Sequence, residues 1–185
     1  NYHGMPAAHL MGWFNETPPG FEWLPAEGCI DESRLVYVAL RDVDPAEAKM
    51  LRESRVTVFT MHDVEKLGIA RVMELAIAAV DPHHLCALHL SLDIDAVDPV
   101  YAPGTGTTAS GGLTQREIKY ICTELGRTSR LVGMDLVEVN PDLDPSGDGK
   151  SPMHGDNPSL ASGLSPTVKL AAECVLAALD NDSMR

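Results

Sequence analysis

Short, almost wholly apolar runs alternate along this chain with longer stretches whose apolar residues recur every three to four positions. That alternation predicts strands followed by helices. Leu35-Val36-Tyr37-Val38-Ala39-Leu40 has the partly β-branched, unbroken apolar character of a strand buried on both faces. Pro45 opens a helix running through Leu51, because the fixed φ and missing N–H of proline suit a first helical turn. Val56-Thr57-Val58-Phe59 is the second strand, and Asp63 to Val80 carries one helical stripe at Val64, Leu67, Val72, Leu75, Ala76 and Ala79. Leu85 to Asp93 is the third strand. Thr114 to Leu125 is a helix whose Thr114 and Glu117 stand at capping-box spacing. Leu131 to Val139 is the fourth strand and Pro166 to Leu179 a closing helix. Residues 1 to 30 are irregular around Pro18-Pro19-Gly20, and Asp142 to Gly163, rich in Gly, Pro, Ser and Asp, is the expected flexible loop.

Strands alternating with helices in this way imply crossover units and a three-layer α/β/α fold around a mostly parallel sheet. Ligands of such sheets bind beyond the carboxyl ends of the strands. Three of the four strands run into acids there: Asp42 and Asp44 after the first, Asp93 and Asp95 at the end of the third, Asp135 and Glu138 along the fourth. Residues i and i+2 of a strand point to one side, so Asp93 and Asp95 are expected to converge. Two adjacent anions in a partly buried place favour a hard divalent cation between them. The plainer alternative is that both acids cap turns. Glu138, at the end of an apolar strand, is a candidate wall for a cationic pocket, best matched by a guanidinium that donates two parallel hydrogen bonds. Thr105-Gly106-Thr107-Thr108 and Gly111-Gly112 form a hydroxyl- and glycine-rich loop beside that rim, without the lysine of a phosphate-binding loop.

A length of 185 residues suits one domain. Fourteen Lys plus Arg against 27 Asp plus Glu leave a net charge of −13, which repels phosphate backbones and argues against nucleic acid or an anionic membrane as partner. Cys29, Cys86, Cys122 and Cys174 are widely spaced, with no CxxC pair, which points to a reducing compartment. No apolar run reaches the ~18 residues that span a bilayer. The chain begins Asn-Tyr-His-Gly-Met-Pro, without an initiator Met, and is expected to be part of something longer.

Several motifs, in order, carry a resemblance. Asn1-x-His3-Gly4-Met5-Pro6, Arg41-Asp42-Val43-Asp44-Pro45, Ser91-x-Asp93-x-Asp95-x-x-Asp98-Pro99, Ala102-Pro103-Gly104-Thr105-Gly106-Thr107, Gly111-Gly112-Leu113 and Glu138-Val139-Asn140-Pro141 resemble the arginases of the ureohydrolase superfamily, from residue 1 to about Pro141. The resemblance implies the carboxy-terminal portion of a single ureohydrolase domain, 1–185. It also implies a dinuclear manganese centre whose bridging hydroxide attacks the guanidinium carbon of L-arginine, giving L-ornithine and urea. Asp93 and Asp95 would then be Mn2+ ligands, Glu138 would hold the guanidinium, and His3 would shuttle the proton to the leaving amine. Asn1, Asp44 and Glu47 would recognise the α-amino and α-carboxylate ends, and Thr107 would support the pocket near Glu138. Arg116 and Glu117 match a surface between subunits, so a homo-oligomer, trimer or hexamer, is implied. The cytoplasm is the expected compartment, with the mitochondrion the alternative.

The departures are as informative. The family's Asp-Ala-His-x-Asp strand and a further His, which supply the other metal ligands, lie upstream of the Asn1 motif and are not in this chain. Two carboxylates fall short of the roughly six donors a hard cation takes. The chain alone is therefore expected to bind manganese weakly and turn over little, and one edge of its sheet is expected to lie open. Thr108 stands where the family usually has Pro. An agmatinase-like or other ureohydrolase, a non-catalytic subunit that assembles with full-length chains, and a metal-free α/β binding domain are the alternatives.

Overall fold

A computed structural model describes residues 4–14, 16–144 and 164–179. Within the stretch expected to be irregular it shows a short helix, α1 (Pro6–Leu10), where Pro6 opens the first turn without needing a backbone donor. Then follow β1 (Val36–Leu40), α2 (Pro45–Glu53) and β2 (Thr57–Thr60). The single helix expected over Asp63 to Val80 is two, α3 (Met61–Leu67) and α4 (Ile69–Val80). They break at Gly68, whose φ of 77° is one an L side chain rarely adopts. α3 is started by a capping box in which Thr60 and Asp63 satisfy each other's amides. The remaining elements are β3 (Leu88–Asp93), α5 (Gln115–Arg127), β4 (Leu131–Val137) and α6 (Pro166–Leu179).

β3 begins three residues later than the apolar run suggests, for a reason visible in the hydrogen bonds. The amides of Leu85 and Cys86 donate to Asp81 Oδ1, at 2.9 and 3.1 Å, rather than to a neighbouring strand. Asp81 is fully buried and its other oxygen accepts from Arg130 Nε at 3.0 Å. Burial pushes its carboxyl up, but those two amides and the Arg130 guanidinium outweigh that and hold it below the ordinary carboxylate value.

β1 pairs with β2 and β3 with β4, both parallel, each pair joined through a helical crossover, α2 or α5. No ladder among the described residues connects the two pairs. Parallel strands joined through helices are the expected arrangement, while the apolar runs specify the strands but carry no information on which strand pairs with which. One core nevertheless spans both pairs, from Ala39 of β1 through Val72 and Met73 of α4 and Leu88 and Leu92 of β3 to Ile118 and Cys122 of α5 and Leu170 and Cys174 of α6. Lys119 of α5 and Glu173 of α6 add an ion pair at 3.0 Å. No helix among the described residues is long and apolar enough to cross a membrane.

At Gly126 α5 and α6 come close, since a β-carbon there would collide with the Ala178 carbonyl. Gly126→Ala is therefore expected to destabilise the chain by about 1 to 3 kcal/mol despite its better helix propensity. Urea denaturation checks this; an unchanged midpoint would show that the helices separate at no cost.

Candidate functional site

The carboxyl ends of β3 and β4 lie side by side, since Asp93 is in register with Val137. Asp93 closes β3, but Asp95 is not on the strand: it sits in a single 3-10 turn, Ile94–Ala96, anchored by the fully buried Ile94. Asp93 Oδ1 accepts from the Asp95 amide at 3.0 Å, and the two carboxyls are near enough to shift each other's ionisation. The expected convergence is present, produced by a turn rather than by strand alternation, so Asp93 is a turn cap and half of a carboxylate pair at once.

Both acids are half-buried. Burial pushes the Asp93 carboxyl up, to about 6; the Asp95 amide opposes this, and the charges of Asp95 and Glu138 add to it. Burial likewise raises Asp95, against the Asp93 hydrogen bond and the Arg41 guanidinium, with Glu138 again adding to the rise. Glu138 is thus close enough to the pair to repel it. It follows β4 directly, with φ 63°, a left-handed conformation that costs a non-glycine residue on the order of 1 kcal/mol or more. That backbone turn ends the strand at Val137, two residues before the apolar pattern does.

A loop from Asp98 to Leu113 flanks these carboxylates. Asp98 Oδ2 accepts from Gly111 N at 2.7 Å and Gly112 N at 3.2 Å, while Oδ1 accepts from Val100 N at 3.0 Å. Those amides, Val100 first, hold its carboxyl below the ordinary value. Gly112 cannot be larger, because a β-carbon would meet the Val97–Asp98 backbone. Further along, the amide of Gly104 donates to Thr167 Oγ1 at 2.8 Å, and Thr167 in turn donates to Asp144 from both its hydroxyl, 2.7 Å, and its amide, 3.1 Å. This buried cluster ties the loop to the first turn of α6. Thr105 Oγ1 is buried with no hydrogen-bond partner among the described residues.

Asp44 caps α2, its Oδ1 accepting from the amides of Ala46 and Glu47 at 2.8 and 3.1 Å; Asp44 and Glu47 are both exposed. Thr107 is exposed in the loop. Glu117 completes the capping box of α5 with Thr114, a local role that explains its presence, while Arg116 is exposed beside it. Asn1 and His3 lie outside the described residues. Of the loop expected over Asp142 to Gly163, Asp142 to Asp144 are described and continue a 3-10 turn, Pro141–Leu143, into the buried Asp144; the rest lies outside.

Two features had weak sequence signals. Arg41 was visible only as part of a motif, yet its guanidinium reaches the turn after β3. His89 and Ser91 share the face of β3 that leads to Asp93, and both bond Asp135 of β4 at 2.7 Å, His89 Nε2 to Oδ2 and Ser91 Oγ to Oδ1. The alternation His89-x-Ser91-x-Asp93 was the available clue.

Paired, half-buried carboxylates fit a hard divalent cation in kind, because a cation would offset the repulsion and burial that raise both groups. They do not fit it in number: among the described residues no group of three or more His, Cys, Asp or Glu side chains is placed to hold a metal ion.

Comparison with known proteins supplies the context. The model of the Arginase family matches residues 1–178. The chain is 47% identical over 141 residues to an arginase of Schizosaccharomyces pombe, covering 76% of this chain and 43% of that protein. It is 40% identical over 182 residues to the arginase of Plasmodium falciparum, covering 98% and 44%. Among solved structures, the native arginase from Bacillus caldovelox superposes with a TM-score of 0.80 at 31% identity, covering all of this chain and 55% of that one. The chain thus spans about half the length of these relatives.

Proposed function

This chain belongs to the arginase family, and from that premise we propose that it forms the carboxy-terminal part of a manganese-dependent hydrolase that converts L-arginine to L-ornithine and urea. The observation that carries the reading is the meeting of Asp93, Asp95 and Glu138 at adjacent strand ends, with the repulsion expected of a site that awaits cations.

Asp93 and Asp95 would hold the metal, with the remaining ligands supplied from outside this chain. When bound, a divalent pair generates a nucleophile from water near neutral pH. The chain's own residues do the rest. Glu138 binds the substrate guanidinium, and its strained backbone fixes the direction of approach. Asp44, with Oδ1 committed to the first amides of α2, meets the amino-acid end of the substrate through its other oxygen, alongside Glu47 and Asn1. Thr107 lies on the loop that borders the pocket. His3 carries the proton to the departing ornithine amine, a task suited to an imidazole. The complete enzyme is a homo-oligomer, a trimer or hexamer, in the cytoplasm.

The shortage of metal ligands and the half-length match favour one second reading, a non-catalytic chain that assembles with full-length arginase subunits. Urea release from L-arginine with added manganese separates them. It is measured on this chain alone and after co-expression with the amino-terminal half of an arginase relative. Activity is expected only in the combined protein, at background after Asp95→Ala, and higher with arginine than with agmatine. A folded combined protein that releases no urea would establish the non-catalytic subunit; a preference for agmatine would reassign the substrate.

A further inference from the structure

β1 ends in a bulge. Its register with β2 shifts between Val38 and Leu40, and Ala39 takes φ 70° although only 2% exposed. Bulges re-aim the residues that follow them. Here the residue that follows is Arg41, whose guanidinium crosses from the β1–β2 pair to the turn and loop beyond β3. Nη2 donates to the Asp95 carbonyl at 2.5 Å and to the Ala109 carbonyl at 2.9 Å. Nε also donates to Ala109, at 3.1 Å, and Nη1 to the Ala96 carbonyl at 3.4 Å. Among the described residues Arg41 forms no ion pair.

A cation whose charge is felt by both Asp95 and Asp98 would ordinarily seize a carboxylate. This one directs four hydrogen bonds to carbonyls, so its fork is spent on backbone shape. The Ala96 carbonyl also accepts from Leu113 N at 2.9 Å, which joins the turn to the loop that Asp98 staples. We propose that Arg41 is a positioning residue of the hydrolytic site: by holding the carbonyls of Asp95, Ala96 and Ala109 together it fixes the turn that presents Asp95 beside Asp93 for a divalent cation. The proposal rests on the metal-binding reading of these acids. Lysine does not replace such a residue, because a single ammonium cannot span three acceptors in a plane.

The test uses the chain as it is, with manganese ion as the probe. Mn2+ broadens amide resonances near where it binds, so titration monitored by NMR gives the affinity at Asp93 and Asp95. Arg41→Lys and Arg41→Met are compared with the unmodified chain and with Ile118→Val, a core substitution on α5 that leaves the Arg41 hydrogen bonds in place. The expected result is an affinity at least tenfold weaker in both Arg41 variants and unchanged in Ile118→Val, with faster exchange of the Asp98 and Leu113 amides in the Arg41 variants alone. Equal affinity in the unmodified chain and Arg41→Met, or full rescue by Arg41→Lys, would overturn the positioning role while leaving the metal reading intact. No broadening around Asp93 and Asp95 in the unmodified chain would overturn the metal reading and the proposal with it. If both Arg41 variants fail to fold, the Arg41 Nε–H resonance of the unmodified chain decides: slow exchange and broadening by Mn2+ support the role, fast exchange without broadening overturns it.

Discussion

Asp144→Ala is expected to lower the stability of this chain by about 2 to 4 kcal/mol, the cost of leaving two buried donors without acceptors. Asp144 is 8% exposed and Thr167 not at all. The carboxylate accepts the Thr167 amide at 3.1 Å and hydroxyl at 2.7 Å. It therefore serves both as a cap for the first turn of α6 and as the end of a relay that reaches the Gly104 amide. Removing it orphans a helix-end amide in the interior and frees the Thr167 hydroxyl to turn away from Gly104. Thr167→Ala removes the same relay from its other end. The two losses should therefore be strongly non-additive in a double-mutant cycle, and guanidinium denaturation of the four proteins measures this. Simple additivity would mean that the cluster does not act as a unit. Gly104 belongs to it by size, because a β-carbon there would lie 2.7 Å from the Asp144 carboxylate.

Asp93→Asn is expected to act in the opposite direction, stabilising the metal-free chain at pH 7. The folded chain holds Asp93 near 6, above its ordinary value of 3.8, because of burial and the neighbouring anions. The native state therefore binds a proton more tightly than the unfolded state, and deprotonation costs stability. The cost is absent below pH ~4, grows between the two values and is complete above pH ~6. A shift of about two units corresponds to about 3 kcal/mol in full, and screening at a half-exposed carboxylate reduces this to about 1 to 2 kcal/mol. Asparagine keeps the acceptor for the Asp95 amide and carries no charge. Its advantage should hence vanish at pH 4 and below, and manganese binding should be lost with it. Thermal denaturation from pH 3.5 to 7.5 tests the sign: an asparagine variant less stable at pH 7 would show that the raised carboxyl is compensated elsewhere.

Both predictions concern groups that the sequence singled out only partly. The order of strands and helices was legible because apolar periodicity records burial, and α6 begins and ends where its pattern does, at Pro166 and Leu179. The break at Gly68 was legible in principle, since a lone glycine in a helical stripe is a weak point, but the apolar positions on either side keep the same phase. The clustering of Asp93, Asp95 and Glu138 followed from strand-end logic, although the turn at Ile94 and the left-handed Glu138 leave no compositional trace. Arg41 was hidden for a related reason: its acceptors are carbonyls, which every residue carries, so no side-chain pattern announces them. Pairing across the sheet was beyond reach because it depends on which backbones meet, and the apolar runs of β1 and β3 are equivalent in that respect.

The absence of a ladder between the β1–β2 and β3–β4 pairs among the described residues leaves a seam between them. Along that seam cohesion comes from interdigitated side chains and the reach of Arg41 and Arg34, none of which imposes the fixed repeat of main-chain hydrogen bonds. The span between the α2 cap at Asp44 and the carboxylates at Asp93 and Asp95 crosses the same seam. The fit of a ligand lying across that span therefore depends on how side chains pack the two strand pairs together rather than on a shared backbone register.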